Sequence, residues 1–200
     1  MLSGLLPWDS GEVRIEGKSL TPKNGASRGL IGLSPQEIVV WGALTCLEQL
    51  TFMGTMHDLS RKTARSRGDG ILEALGLKEK RNRLAKTLSG GMLRRLNIAL
   101  ALIHEPKILI LDEPQAGLDP QSRVLVRDYV QNLRGRITVI ITTHDMEEAE
   151  KLSDRVCIVD RGKLLALDTV ESVKAKAGLS KEDATLEDVF ISMTGRGLRE

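Results

Sequence analysis

Residues 86–120 read KTLSGGMLRRLNIALALIHEPKILILDEPQAGLDP, and the order of features within them decides the fold. Ser89 opens a helix: Leu93, Leu96, Ala99, Leu100 and Ile103 follow at i, i+3, i+4 spacing, and the pattern stops before Pro106. The next segment, KILIL (107–111), is nearly all apolar, as a parallel strand buried on both faces requires. It ends in two acids, Asp112 and Glu113, so their carboxylates belong at the carboxyl edge of a sheet, where α/β proteins bind ligands. At the other end of the stretch, Ser89 and the amides of Gly90 and Gly91 sit at a helix N-terminus, a natural anion site.

The same alternation extends in both directions. Downstream, 121–134 is an amphipathic helix, ITVIIT (137–142) a second buried strand, and 145–152 a short acidic helix. RVCIVD (155–160) and KLLAL (163–167) form a hairpin about Arg161-Gly162, with short helices near 169–177 and 185–193. Upstream, GLIGLS (29–34) is a strand and 46–58 a helix. Residues 61–75 are also helical, although Gly68 and Gly70 each weaken that helix by about 1 kcal/mol against alanine. Buried strand, helix and buried strand in succession define an α/β fold with a parallel sheet.

Composition narrows the function. Two hundred residues make one domain, or one with an appendage. The net charge of +2 is too small to argue for nucleic acid, and the basic clusters at 61–67 and 78–86 carry no interleaved aromatics. Cys46 and Cys157 lie far apart in apolar contexts without metal-ligand spacing, and both read as buried thiols of a reducing compartment. No apolar run reaches the roughly 18–20 residues that span a bilayer, and the N-terminus has no basic leader. The expected location is the cytoplasm, unless a partner brings the chain to a membrane.

One stretch imitates a nucleotide-binding motif. EGKSL (16–20) contains Gly17-Lys18-Ser19, but a P-loop needs G-x-x-x-x-G-K-[ST] between a buried strand and a helix. Gly11 stands one residue too far upstream, the intervening EVRIE alternates as a strand, and SLTPKNG beyond it is no helix. A turn at Gly17-Lys18 of a surface hairpin, with Lys18 in solvent, is the better reading. The other Gly-Lys, at 162–163, is followed by Leu164, so these 200 residues hold no complete P-loop.

Five other motifs stand in order, and together they resemble the nucleotide-binding domain of an ABC transporter over almost the whole chain. LSGGM (88–92) resembles the signature LSGGQ, with Met92 as in the branch that powers drug and small-molecule exporters. ILILDEP (108–114) is similar to the acidic strand, AGLDP (116–120) to the D-loop, TTHD (142–145) to the switch histidine and LSPQE (33–37) to the Q-loop. The resemblance implies a P-loop NTPase (RecA-like) fold: a parallel-sheet core over 1–36 and 107–168, a helical signature subdomain over 37–106 and a C-terminal helical appendage over 169–200. It implies ATP and Mg²⁺ as ligands. Asp112 and Gln36 would hold the metal, Gln36 being also a catalytic candidate through contact with the water, and Glu113 would be the general base; adjacent acids that merely cap a loop are the structural alternative. His144 would touch the γ-phosphate and hold the water, the alternative being a satisfied core histidine. Ser89, Gly90, Gly91 and Met92 would face the ATP of an opposing subunit, with Asp119 communicating across that interface. The implied partners are a second ATP-binding subunit, identical or not, and a transmembrane permease whose coupling helix would meet Ile38, Val39, Val40 and Trp41, the alternative being that these four are local core. The chain would then lie on the inner face of the cell membrane.

The resemblance has a gap. MLSGLLPWDSGEVRIEG (1–17) is similar to the family just after its P-loop, so the chain is expected to be truncated at the front and to lack the phosphate cradle and the earlier strands. The missing strand is expected beside the acidic strand. The chain alone is then expected not to hydrolyse ATP. Two other readings remain: a catalytically inactive binding partner or gene fragment, and a non-transport ABC ATPase. The long coiled coils of DNA-repair members and the second cassette of translation-type members are not seen in this sequence.

Overall fold

A computed structural model of the chain describes residues 6–20, 29–177 and 184–195, in two compact units, Met1–Thr142 and Thr143–Glu200. The first five residues of the stretch similar to the family just after its P-loop, and the TPKNG stretch, lie outside the described residues.

Three parallel strands centre the first unit: β3 (Ile31–Ser34), β4 (Ile108–Asp112) and β5 (Thr138–Thr142), in the order β3-β4-β5. Ile31 pairs with Ile108, Ser34 with Leu111 and Asp112 with Thr142, so all three strands deliver their carboxyl ends to one edge. A small hairpin, β1 (Arg14–Ile15) and β2 (Lys18–Ser19), adds Ile15 and Leu20 to a cluster with Ile31 and Ile110.

Among the described residues four α-helices complete the unit: α1 (Cys46–Met56), α2 (Arg61–Ala74), α3 (Gly90–Leu102) and α4 (Pro120–Asn132). Side-chain hydroxyls or carboxylates of Thr45, Ser60, Ser89 and Asp119 cap their N-termini. The apolar stripe expected from Ser89 onward is buried from Leu96 through Ile103. It packs on β3 so closely that a Cβ at Gly32 would overlap the Ala101 carbonyl oxygen and stand 2.9 Å from Pro106 Cγ. Leu109 and Leu111 are fully buried on one face of β4 and Ile110, 9% exposed, is buried on the other, the two-sided cover that the KILIL run predicts.

In the second unit, α5 (Met146–Leu152) precedes the antiparallel pair β6 (Val156–Asp160) and β7 (Lys163–Asp168), followed by α6 (Val170–Lys176) and α7 (Leu186–Thr194). Val156, Ile158, Val170, Val173, Leu186 and Val189 form its core. Glu150 of α5 binds Lys174 of α6 at 3.1 Å and accepts the Leu186 amide of α7. Among the described residues β6 and β7 pair only with each other, forming a sheet separate from β3-β4-β5.

Four expectations need correction. The first hairpin turns at Glu16-Gly17, both at positive φ (51° and 75°), and Lys18 already belongs to β2. Lys18 is exposed, as expected. Both edges of β4 are occupied, by β3 and β5, so no further strand fits beside the acidic strand. The strand at 138–142 is only half-buried, because it pairs on one side alone among the described residues. Finally, Cys46 is buried but Cys157 is exposed, because β6 alternates and sends Val156 and Ile158 inward.

Candidate functional site

The carboxyl edge of the sheet gathers the first group of candidates. Asp112 is the last residue of β4 and accepts a hydrogen bond from Thr142 Oγ1 at the facing end of β5. Glu113 leaves the strand with φ 47°, and its amide donates to the Thr142 carbonyl at 3.0 Å. Such a left-handed backbone is costly for a residue with a Cβ and persists only where its surroundings enforce it. Here the strand pairing and the following turn, closed by Ala116 N–H to Glu113 O at 3.1 Å, do so. Together they fix where the Glu113 side chain leaves the sheet.

Gln36 follows β3 at the same edge, exposed in a bend. Its loop is held by polar side chains of the helices. Arg94 Nη1 donates to the Pro35 carbonyl at 3.0 Å. Asn97 donates to Ser34 Oγ at 3.0 Å and accepts the Val39 amide at 3.1 Å, and Gln49 Oε1 accepts the Trp41 amide at 2.9 Å. Arg94, Asn97 and Gln49 are all buried. Sequence reasoning missed them, although an Arg and an Asn spaced i, i+3 on an apolar helix are the signal that would have found them. Burial pulls the Arg94 guanidinium below its ordinary pKa, and the carboxylates of Asp112 and Glu113 oppose that shift.

The signature residues form a second group. Ser89 Oγ accepts the Met92 amide at 3.3 Å, and the Ser89 carbonyl accepts the Leu93 amide at 2.9 Å. Among the described residues this leaves the amides of Gly90 and Gly91 as the open donors of α3. A Cβ at Gly91 would lie 3.1 Å from Ser122 Oγ and 3.2 Å from Asp119 Oδ2, so the signature packs directly on the capped first turn of α4. Asp119 caps α4, accepting from the Ser122 amide at 2.9 Å and the Ser122 hydroxyl at 2.7 Å. Those two bonds, hydroxyl first, hold its carboxyl below the usual range.

His144 stands two residues beyond β5, in the second unit, exposed in the bend before α5. Its exposure removes the core-histidine alternative. Ile38, Val39 and Trp41 are exposed and Val40 is half-buried, so this segment is not local core. Trp41 meets the exposed Phe52 of α1 edge-on, with ring centroids 5.6 Å apart.

Among the described residues there is no cluster of three or more His, Cys, Asp or Glu that could hold a metal. A nucleotide-bound Mg²⁺ needs none, because it takes one or two protein oxygens and fills its octahedron with phosphates and water. Asp112, with Gln36 beyond the neighbouring strand, fits that donor set.

The profile of the family described as ABC transporter matches residues 1–116. The chain belongs to the ABC transporter family. It is 39% identical to the linearmycin resistance ATP-binding protein LnrL of Bacillus subtilis (strain 168), over 100% of this chain and 62% of that protein. It is 38% identical to the daunorubicin resistance ATP-binding protein DrrA3 of Streptomyces coeruleorubidus, over 94% of this chain and 60% of that protein. The chain thus spans about three fifths of the length of these relatives. A solved structure titled "Structure of ATP binding subunit of ABC transporter" superposes with a TM-score of 0.85 at 24% identity, covering 96% of this chain and 80% of that one. That likeness agrees with the P-loop NTPase fold expected from the motifs. None of the described helices of this ABC family member is long and apolar enough to cross a membrane.

Proposed function

We propose that the chain carries the catalytic and signature halves of an ATP-hydrolysing motor subunit of an export-type ABC transporter. The observation that carries this reading is the end of β4. There a buried strand delivers Asp112 beside Thr142 and then holds Glu113 in a left-handed backbone, at the edge where Gln36 also emerges. The relatives named for linearmycin and daunorubicin resistance support the export direction.

In this proposal Asp112 and Gln36 hold Mg²⁺, which when bound neutralises phosphate charge. Glu113 orients and deprotonates the attacking water; for His144, in the second unit, a contact with the terminal phosphate rests on the motif resemblance alone. Ser89, whose oxygen already accepts the Met92 amide, keeps its hydroxyl proton to donate to a phosphate. With the Gly90 and Gly91 amides it grips the nucleotide of an opposing ATP-binding subunit. Met92 contributes the capped amide, and Asp119 carries contact across the dimer. A membrane permease docks on Ile38, Val39 and Trp41 and holds the chain at the inner face of the membrane. Residues 37–106 act as the helical subdomain on a core sheet, with 169–200 as an appendage.

The test is Glu113→Gln in the complete transporter. Turnover is expected to fall by about 10²–10⁴-fold with ATP binding retained; wild-type turnover would overturn the assignment. The isolated 200-residue chain is expected to bind Mg-ATP only weakly, since it contains no G-x-x-x-x-G-K-[ST]. Micromolar affinity with sustained turnover would refute that. A second reading is a catalytically inactive partner that lends its signature to a complete subunit. Reading the DNA upstream of codon 1 separates the two: an in-frame P-loop supports the motor, an in-frame stop the partner.

A further inference from the structure

Arg95 is buried, with 6% of its surface exposed. Removing a cation from water is costly unless hydrogen bonds and opposite partial charge replace the solvent. Three main-chain carbonyls do so here. Nη1 donates to the Leu75 carbonyl at 2.9 Å and reaches the Gly76 carbonyl at 3.4 Å, while Nε reaches the Gly91 carbonyl at 3.4 Å. Leu75 caps the end of α2 and Gly76 follows it, where carbonyls lack helical partners and the helix dipole favours a cation. Gly91 lies in the first turn of α3, within the signature. One planar guanidinium thus joins the end of α2 to the start of α3.

Both sides of this joint are tight. Gly76 has φ 65°, and a Cβ there would stand 3.0 Å from Arg95 Nη1 and 3.3 Å from Leu125 Cδ1 of α4. Gly91 is wedged against Ser122 and Asp119. The first turn of α3 has little to hold it by itself. Its two successive glycines are poor helix formers, and the Ser89 cap on the Met92 amide is long at 3.3 Å.

We propose that Arg95 is a positioning residue that clamps the first turn of α3 to the end of α2 and so fixes the direction of the Gly90 and Gly91 amides. That these amides meet a nucleotide rests on the proposed function, but the clamp itself needs none. Without the guanidinium the glycine turn keeps only its Ser89 cap, and the end of α2 loses the donor on its last carbonyls. Lysine keeps the charge beside Leu75 but not the planar fork that reaches Gly91 as well, so it restores one end of the clamp alone.

The experiment is amide hydrogen exchange in the 200-residue chain without nucleotide. The amides of Met92 and Leu93, which bond to Ser89, report on the signature turn. That of Leu77, bonded to the Leu72 carbonyl, reports on the end of α2. Arg95→Met is expected to speed exchange about tenfold at both places, the loss of a charge-assisted hydrogen bond. Gly76→Ala, which crowds Nη1, should speed Met92 and Leu93 while Arg95 is present and add nothing in the Arg95→Met background. Amides of Leu50 and Leu109, buried in α1 and β4, should keep their protection and so show an intact fold. If Arg95→Met does not fold, Arg95→Lys takes its place: Leu77 should keep its protection while Met92 and Leu93 lose theirs. Faster exchange at Leu77 alone in Arg95→Met, or an undiminished response to Gly76→Ala without Arg95, overturns the proposal. In the complete transporter, Arg95→Met should raise the KM for ATP about tenfold with kcat little altered, since phosphate contacts of the signature precede the chemical step. An unaltered KM with the exchange pattern as expected would leave the clamp standing and remove the signature's grip from the proposed function.

Discussion

His104 gives the first unit a pH dependence whose size follows from its surroundings. The ring stacks on His57 with centroids 4.0 Å apart and planes 8° from parallel, and Nε2 lies 3.2 Å from the Ile31 carbonyl. Nδ1 is enclosed with no partner among the described residues. Burial, then the neighbouring His57 and finally Arg67, pull its pKa from 6.5 to about 4, against the opposing pull of the Ile31 carbonyl. Above pH 6.5 the ring is neutral in both folded and unfolded chains, and its contribution to stability is fully present. As pH falls from 6.5 toward 4 the unfolded chain takes up a proton that the folded chain refuses, so stability is lost through that window. Between about pH 7.5 and pH 5 the loss is about 2 kcal/mol at full strength, and about 1 kcal/mol once solvent screening of a partly exposed ring is allowed for. Both tryptophans, Trp8 and Trp41, lie in the first unit, so urea titrations followed by tryptophan fluorescence report on it alone. His104→Gln keeps a donor for the Ile31 carbonyl and removes the titration. The wild type should lose stability over that range while the variant loses measurably less. Equal pH slopes would refute the reasoning.

Three further outcomes are expected. Gly32→Ala drives a methyl into the Ala101 backbone carbonyl, which cannot swing away, and should lower stability by about 1–3 kcal/mol or more in urea unfolding. Asp119→Ala removes the cap of α4 and should lower the Tm. Because the Asp119 carboxyl is held below its ordinary 3.8, its contribution is present above that value and disappears as pH falls through the lowered one, so wild type and variant should converge in acid. Val39→Asp, at a site 59% exposed, should leave the fold unaltered but abolish co-purification with a permease; undiminished capture would remove this segment as the docking surface.

Much of the fold could be read because its signals are local. KILIL needs both faces covered, Ser89 caps its own helix, and the motif order fixes which strand ends carry Asp112 and Gln36. What escaped reading depends on partners distant in sequence. Gly68 looked like a flaw in α2, yet a Cβ there would lie 3.2 Å from Leu47 Cδ1 and Leu50 Cβ, so it admits α1 at close range. Strand order is likewise a pairing property, and nothing in ILILDEP says that β4 is flanked on both sides. At the site, the acidic pair and signature were visible as motifs, whereas the grip of Arg94, Asn97 and Gln49 on the 35–41 loop spans up to about sixty positions and leaves only buried polar residues as its trace.

Among the described residues β5 pairs on one side alone, and this bears on how the 200-residue chain behaves in concentrated solution. Its segment TVIIT has four β-branched side chains at Thr138, Val139, Ile140 and Ile141, a fifth at Thr142, and neither charge nor proline. A strand edge of that composition offers a row of backbone donors and acceptors to any second strand that approaches. Solubility of the 200-residue chain at high concentration therefore hangs on residues 138–141, apart from Thr142, which is engaged with Asp112, and a lysine placed among those four would be a solubility device.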